Sequence, residues 1–187
     1  MKKFIGVLAF LALAAGLGMF TLQSGCSNSS PSAPVTIHCL DIGVVNQGSP
    51  NGTISNAYIT AQPITVQFAD TLSSISVYLN NPASGTIVLG LYTDSAGYPA
   101  TLLASGSMTE VPNSWNTVNL NAPVSAGSYW LALDNSNNLP INGDAATSTP
   151  YYLKAYTYSG SLPNPLSAGT TYASTPGAYV LYASFCH

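Results

Sequence analysis

From Val35 onward, hydrophobic and polar residues alternate in short runs that are interrupted by Gly, Pro, Asn and Ser. A period of two residues is typical of β-strands with one buried face, and no segment keeps the period of an amphipathic helix. The pattern therefore predicts an all-β domain with about nine strands. Their expected bounds are 35–45, 64–69, 72–79, 85–93, 101–109, 115–120, 127–133, 151–158 and 177–186.

The alternation also assigns side chains to faces. In two neighbouring strands, 72–79 and 85–93, the large hydrophobic residues fall on one side. We expect these two sets to meet in the core of a two-sheet antiparallel β-sandwich of jelly-roll type. The sets are Ile75, Val77 and Leu79, and Ile87, Leu89 and Leu91.

The N-terminus has the features of an export signal. Residues 1–25 begin with Met-Lys-Lys and then run apolar before turning small and polar. Cys26 follows small residues and opens a Ser, Asn and Pro-rich tether, 26–34, in an arrangement that resembles a bacterial lipoprotein signal. We therefore expect export to the cell envelope or surface, with Cys26 lipidated as a membrane anchor and one folded domain over 35–187. Secretion with Cys26 removed or free is the alternative.

The chain carries few charges. It has three Lys and Arg residues in total, and loss of the signal would leave Lys154 alone against six acidic residues. Nucleic-acid binding requires several cations to displace counterions, so this composition argues against a nucleic-acid partner.

The two remaining cysteines, Cys39 and Cys186, lie near the ends of the predicted domain. In an exported protein an even pair predicts a disulfide, which here would join the first strand to the last. If the two strands pair antiparallel, His38 would fall opposite His187, and two imidazoles so placed are a further candidate for a metal site. Solvated histidines at the chain end are the simpler reading.

The segment 72–138 contains "VYLNN", "GLYTDSAGYPATLLA", "WNTVNL" and "AGSYWLAL". It resembles a recurrent secreted β-sandwich module of bacterial and archaeal surface proteins, of the choice-of-anchor or carbohydrate-binding-like jelly-roll kind. The resemblance implies a β-sandwich over most of the chain. It implies no catalytic residues, because the family is defined by its scaffold.

Lys154 lies among tyrosines in "YYLKAYTY" (151–158). A lysine is almost never buried without a partner, so its face of the strand should be solvated, and a period of two places Tyr152, Tyr156 and Tyr158 on that face. Tyrosine rings stack on the apolar faces of sugars, and Tyr98, in the turn "DSAGYP", is a further exposed candidate. The alternative is a row of strand-forming tyrosines covered by a loop.

Other chemistry has less support in the sequence. The loop 133–138 lacks the glycine and the glutamate of an EF-hand, which leaves open an irregular calcium site using Asp134, Asp94 or Asp144. No Ser, His and Asp set is singled out, and no cofactor motif is present, so we expect no enzyme activity.

These observations favour a non-catalytic cell-surface binding or adhesion module with polysaccharide or a cell-surface glycan as its partner. The alternative function is a structural subunit of a surface layer, filament or extracellular matrix. Its basis is the 5% charged content, because a nearly neutral surface does little to repel other copies and makes self-association possible.

Overall fold

A computed structural model describes residues 36–80, 84–144, 150–166, 170–173 and 178–187. The predicted signal, Cys26 and most of the tether lie outside these residues. Every element in the described ranges is a strand. They are, in chain order, β1 (Cys39–Gly43), β2 (Ser49–Ile54), β3 (Tyr58–Val66), β4 (Asp70–Leu79), β5 (Thr86–Ser95), β6 (Tyr98–Thr109), β7 (Ser114–Val124), β8 (Gly127–Asn135), β9 (Leu139–Asp144), β10 (Pro150–Ala155), β11 (Thr170–Ala173), β12 (Ala178–Tyr179) and β13 (Leu181–Cys186).

The strands form two antiparallel sheets that pack face to face. The seven-stranded sheet has the order β1-β13-β4-β9-β12, with β2 beside β9 and β7 beside β4. The six-stranded sheet has the order β11-β10-β3-β8-β5-β6. From β6 to β10, successive strands alternate between the two sheets, which is the crossing connection of a jelly-roll sandwich. The predicted fold class is confirmed. In the described part of the chain, no helix is long and apolar enough to cross a membrane.

The main core lies between the sheets. The two hydrophobic sets predicted from β4 and β5 meet there, and all six side chains are 0% exposed. They pack with inward side chains of the other sandwich strands, among them Leu131, Leu133, Leu181 and Phe185. The prediction of the core from residue alternation is therefore confirmed.

Strand β3 begins six residues before the predicted start at 64, and Phe68, near the predicted end, is exposed. The predicted strand began too late because of Pro63, which lacks the N–H group that a central strand needs. β3 pairs with β10 only over Tyr58–Ala61, so one side of the backbone is open at Pro63 while the other pairs with Trp130 of β8. A proline is tolerated at that position.

The predicted strand 177–186 is two strands, because β12 pairs with β9 whereas β13 lies between β1 and β4. Strands β2, β9 and β11 were not predicted. The sequences of β2 and β9, "SPNGTI" and "LPINGD", contain Pro, Gly and Asn, which usually interrupt strands.

Cys39 and Cys186 are directly paired in β1 and β13, with Cα atoms 4.1 Å apart, and form a disulfide as predicted. His38 and His187 exchange two backbone hydrogen bonds of 3.0 Å, and their rings stack with centroids 6.0 Å apart. His187 Nδ1 lies 3.1 Å from an Asp70 carboxylate oxygen. Desolvation alone would raise the pKa of Asp70, but hydrogen bonds from His187 and the Thr71 N–H outweigh it and lower that pKa.

Candidate functional site

The outer face of the six-stranded sheet carries a second apolar cluster, which we call the outer cluster. Strands β3, β5 and β8 have hydrophobic residues on both sides, so one side fills the main core and the other must be covered. The buried members of the outer cluster are Ile59, Ala61, Val88, Tyr92, Trp130, Ala132, Tyr152, Leu162 and Leu166.

Residues 156–166, which we call the covering segment, follow β10 and lie against the outer cluster. Leu162 and Leu166 of this segment are buried in the cluster. The Tyr92 hydroxyl donates a 2.6 Å hydrogen bond to the Pro163 carbonyl, and the Leu166 N–H donates to the Ala100 carbonyl at 2.9 Å. The covering segment is thus fixed to β5 and β6 by hydrogen bonds as well as by apolar contact.

The covering segment buries side chains of the tyrosines that were predicted to be exposed. Tyr152 shares the outward side of β10 with Lys154, as the alternation requires, but the expectation that it is solvated is wrong because Tyr152 is 0% exposed. Tyr156 and Tyr158 are partly buried against the outer cluster, and Lys154 is half-buried. The predicted strand 151–158 ends at Ala155, so Tyr156 and Tyr158 lie in the covering segment and not in a strand row. Tyr152 is covered by that segment, as in the alternative left open above.

A cleft of about 500 Å³ remains on the same outer face, at the end of the sheet occupied by the turn between β5 and β6. Pro63 and Trp130 are directly paired in β3 and β8, as are Thr65 and Ser128, and all four residues line the cleft. Asp94 of β5 completes the wall. The cleft therefore combines apolar rings, two exposed hydroxyl side chains and one carboxylate.

The turn that bounds the cleft fixes the position of Asp94. Ala96 and Gly97 both have positive φ, 54° and 83°, as in the tight turns that match the twist of a hairpin. One Asp94 oxygen accepts a 2.7 Å hydrogen bond from Trp130 Nε1, and the other accepts a 3.2 Å bond from the Gly97 N–H. Each oxygen keeps a lone pair for a further donor.

Tyr98 follows this turn and is 47% exposed. Its ring centroid lies 6.4 Å from that of Tyr152, which lies 6.3 Å from that of Trp130, and both pairs are edge-to-face. The structure thus brings together two of the predicted ligand-binding residues, Tyr98 and Tyr152, but only Tyr98 presents an accessible ring. The sequence did not connect Trp130 with Asp94, because the two residues lie 36 positions apart in the chain.

A second aromatic group lies on the outer face of the seven-stranded sheet. Trp115 stands edge-to-face between Tyr182 and Tyr78, with ring centroids 4.9 and 5.5 Å away, and all three side chains are half-buried. Next to them Ser76 is hydrogen-bonded to Thr117 and is only 1% exposed. The sequence signal for this group is that Tyr78 alternates with the inward residues Val77 and Leu79 of β4, which places its ring on the outer face.

The acidic residues proposed as an irregular calcium site are not brought together. The described residues contain no group of three or more His, Cys, Asp or Glu side chains placed to hold a metal ion. Asp134 lies by itself on the outward side of β8 with 0% exposure, and its burial raises its pKa to about 6.

No family model, curated protein or solved structure matches this chain. The resemblance of segment 72–138 to a surface module therefore stays an expectation.

Proposed function

We propose that the protein is a non-catalytic surface module that binds neutral carbohydrate in the cleft beside Tyr98. The observation that carries the proposal is a cleft that contains a carboxylate fixed by two hydrogen bonds, with the exposed ring of Tyr98 next in the chain to Gly97, which lines the cleft. Export and lipid anchoring through Cys26 belong to the same proposal. The Cys39–Cys186 disulfide is compatible with an extracellular location.

The cleft chemistry fits a sugar better than other ligand classes. Sugar rings present C–H faces that pack on aromatic side chains, and hydroxyls that bond to acceptors such as Asp94 and to donors such as Thr65 and Ser128. No Lys or Arg lines the cleft among the described residues, so an anionic ligand would find no countercharge.

The same residues favour binding over hydrolysis. Glycoside hydrolysis usually needs two carboxyl groups on opposite sides of the scissile bond, and Asp94 is the only carboxylate among the described residues that line the cleft. Both Asp94 oxygens also accept bonds from the protein itself, which suits a group that orients a ligand.

Binding to a glycan array, followed by calorimetry on the best ligand, tests this proposal. We expect Tyr98→Ala to weaken binding by about tenfold, about 1.4 kcal/mol, because the exposed ring is lost. Tyr98→Phe should retain most of the affinity if the ring face makes the contact. Tyr58→Ala is the matched control, since Tyr58 is 41% exposed and lies in β3 of the same sheet.

Three results would count against the cleft. They are the absence of glycan binding, equal losses in the Tyr98 and Tyr58 variants, and unchanged binding after Tyr98→Ala. A loss of binding after Trp115→Ala, with no effect of Tyr98→Ala, would transfer the function to the aromatic group on the seven-stranded sheet.

A structural subunit is the second candidate function, and one observation favours it. Strand β6 lies at the edge of the six-stranded sheet, and its twelve residues include no charged side chain. An uncharged edge strand of this length offers backbone groups to a strand from another copy. Light scattering on the glycan-binding samples separates the two functions, because self-assembly without sugar supports this one.

A further inference from the structure

One end of the sandwich carries the two most exposed large hydrophobic side chains of the described residues. Phe68, in the loop between β3 and β4, is 74% exposed. Ile37, two residues before β1, is 69% exposed. A single exposed hydrophobic residue needs no explanation, but apolar surface that gathers in one region often marks a contact. Whether these two residues lie together is therefore the first question.

Hydrogen bonds and strand pairing place both residues at the same end. Ile37 precedes His38, which exchanges two backbone hydrogen bonds with His187. His187 Nδ1 lies 3.1 Å from a carboxylate oxygen of Asp70, the first residue of β4. Asp70 follows Phe68 by two positions. The chain thus enters β1 at the end of the sandwich where β3 turns into β4.

The turn between β5 and β6 is at this end too. Thr93 of β5 pairs with Tyr129 of β8, and Tyr129 pairs with Ile64 of β3, shortly before β3 leads into the Phe68 loop. Tyr98, which follows the turn, is 47% exposed. A tyrosine has an apolar ring and a polar hydroxyl, a combination that suits a boundary between water and an apolar phase.

This end carries little charge. Its loops, 67–69, 96–97 and 125–126, contain no charged residue. Among the described residues the only Lys or Arg is Lys154, which pairs with Ile59 near the other end of β3. The carboxylates of Asp70 and Asp94 each accept two hydrogen bonds from the protein. Contact with an apolar surface would therefore cost this end little desolvation of charge.

The predicted tether joins the domain at the same end. Cys26 lies eleven residues before Ile37. A chain of that length spans about 40 Å when it is fully extended and about 20 Å on average when it is flexible. A lipid on Cys26 would therefore keep the Phe68 end close to the bilayer. At the high effective concentration that a short tether gives, a weak apolar contact is enough to orient the domain.

We propose that this end docks on the lipid bilayer that holds the Cys26 anchor, with Phe68 inserted into the headgroup region. The proposal rests on the lipid anchoring that belongs to the proposed function. A few apolar side chains are too small a surface for a stable protein partner, whereas insertion into a bilayer requires no matching surface. Docking would hold the cleft beside the membrane, so the protein would bind glycan that lies close to the bilayer.

Vesicles with a chemical anchor test the docking surface without depending on lipidation in the cell. The chain from Cys26, which contains every described strand, is coupled through the Cys26 thiol to a maleimide lipid in phosphatidylcholine vesicles. Phe68→Trp adds a fluorescent probe, read after subtraction of the signal from the two native tryptophans. We expect spin-labelled lipid to quench about half or more of the added emission, and the emission to move to shorter wavelength.

Val111→Trp is the matched control. Val111 is 47% exposed and lies between β6 and β7, at the opposite end, because Ser114 of β7 pairs with Leu79 at the close of β4. Its added emission should stay unquenched. Phe68→Ser should reduce the quenching of a Tyr98→Trp probe by about twofold or more, because the side chain that orients the domain on the bilayer is lost.

The proposal is overturned if the probes at positions 68 and 111 are quenched equally, since the domain then tumbles on its tether, or if neither is quenched. An emission shift of Phe68→Trp that grows with protein concentration in the absence of vesicles would assign this end to a second copy and would also overturn it. Fatty-acid labelling in cells tests the Cys26 anchor, and glycan binding without vesicles tests the cleft. Failure of the proposed function is therefore distinguishable from failure of docking.

Discussion

Asp134 is a carboxylate buried on the outward side of β8. One of its oxygens accepts a 2.9 Å hydrogen bond from the Asn135 N–H, and the other accepts none. Its directly paired neighbour on β5 is Val88, which belongs to the outer cluster, and the nearby Tyr92 hydroxyl has its pKa raised by burial and then by neighbouring charges. The environment of Asp134 is thus apolar, and burial raises its pKa from 3.8 to about 6.

We predict that Asp134→Asn stabilises the protein at neutral pH. The pKa is higher in the folded state than in the unfolded chain, so the stabilising protonated form is complete below about pH 4 and is lost as the pH rises through about 6. Removing the charge should therefore raise the free energy of unfolding by about 1–2 kcal/mol at pH 7 and leave it nearly unchanged at pH 4.

Urea unfolding of wild type and variant from pH 4 to pH 8 provides the measurement. Taking the difference between the two proteins removes the opposite contribution of Asp70, whose lowered pKa adds stability that is lost as the pH falls. Asp41→Asn is the exposed control. If the difference in free energy of unfolding between wild type and Asp134→Asn does not vary with pH, ionisation of Asp134 does not destabilise the folded protein.

For Tyr152, the side of the strand could be predicted from the sequence, but its burial could not. The alternation placed it on the same side of β10 as Lys154, and this is correct. Its burial depends on a segment that follows the strand and folds back across the sheet, held by contacts such as the Tyr92 hydrogen bond to Pro163. The side of a strand can be predicted from local sequence, but the layer that covers it depends on contacts distant in the chain.

At the scale of the element, β6 is the strand most open to a partner. It pairs with β5 on one side, and the covering segment reaches only residues 100–102 on the other. Along 103–109 no described strand pairs with its free side. The outward residues of this stretch, Leu103, Ser105, Ser107 and Thr109, are exposed and uncharged.

If copies of the protein associate through β6, Ser107→Lys should reduce that association. A lysine on an edge strand places like charges against each other when two copies of the edge meet. Sedimentation velocity over a range of protein concentrations would show a shift to monomer in the Ser107→Lys variant. Asn119→Lys, at an exposed position of β7 in the other sheet, is the control for charge alone and should leave association unchanged.

A monomeric wild type at all concentrations would remove the basis for the structural-subunit function. Association that survives Ser107→Lys but is lost with Asn119→Lys would show that the copies meet through the seven-stranded sheet instead. Neither outcome depends on the identity of a glycan, so this test is independent of the cleft.

The strands differ in how well their sequences predict them. β4 and β5 alternate cleanly because one face fills the main core, and their bounds and inward residues were predicted closely. β2 and β9 contain Pro and Gly and pair with each other, so their strand structure depends on that pairing more than on local preference. The paired strands stabilise each other at positions that are separated by about 90 residues.

At the scale of the whole molecule, the described residues form two apolar layers, one between the sheets and one under the covering segment. The sequence predicted the first from alternation but not the second, because the residues that cover Val88 and Trp130 come from far along the chain. The candidate site follows the same division. Tyr98 was predicted from its turn, whereas its combination with Asp94 and Trp130 required the fold.

The disulfide joins the first described strand to the last, across a separation of 147 residues. Strand β1 has few other contacts that hold it in the sheet. Among the described strands it pairs only with β13, and four of its five residues are exposed, including Leu40 at 56%. Ile42 is its only residue that packs against the main core. Backbone pairing and the disulfide therefore hold β1 in place.

We predict that the double variant Cys39→Ser, Cys186→Ser is less stable by about 3–5 kcal/mol, because the unfolded chain regains the entropy of a long loop. Urea unfolding measures the loss, and a reductant should lower wild-type stability similarly while leaving the double variant unaffected. Hydrogen exchange should show faster opening of β1 than of β4, since β4 pairs with β13 and β7 and lies over the main core. Equal stability of the two proteins, with β1 still protected, would show that backbone pairing alone fixes this edge of the sandwich.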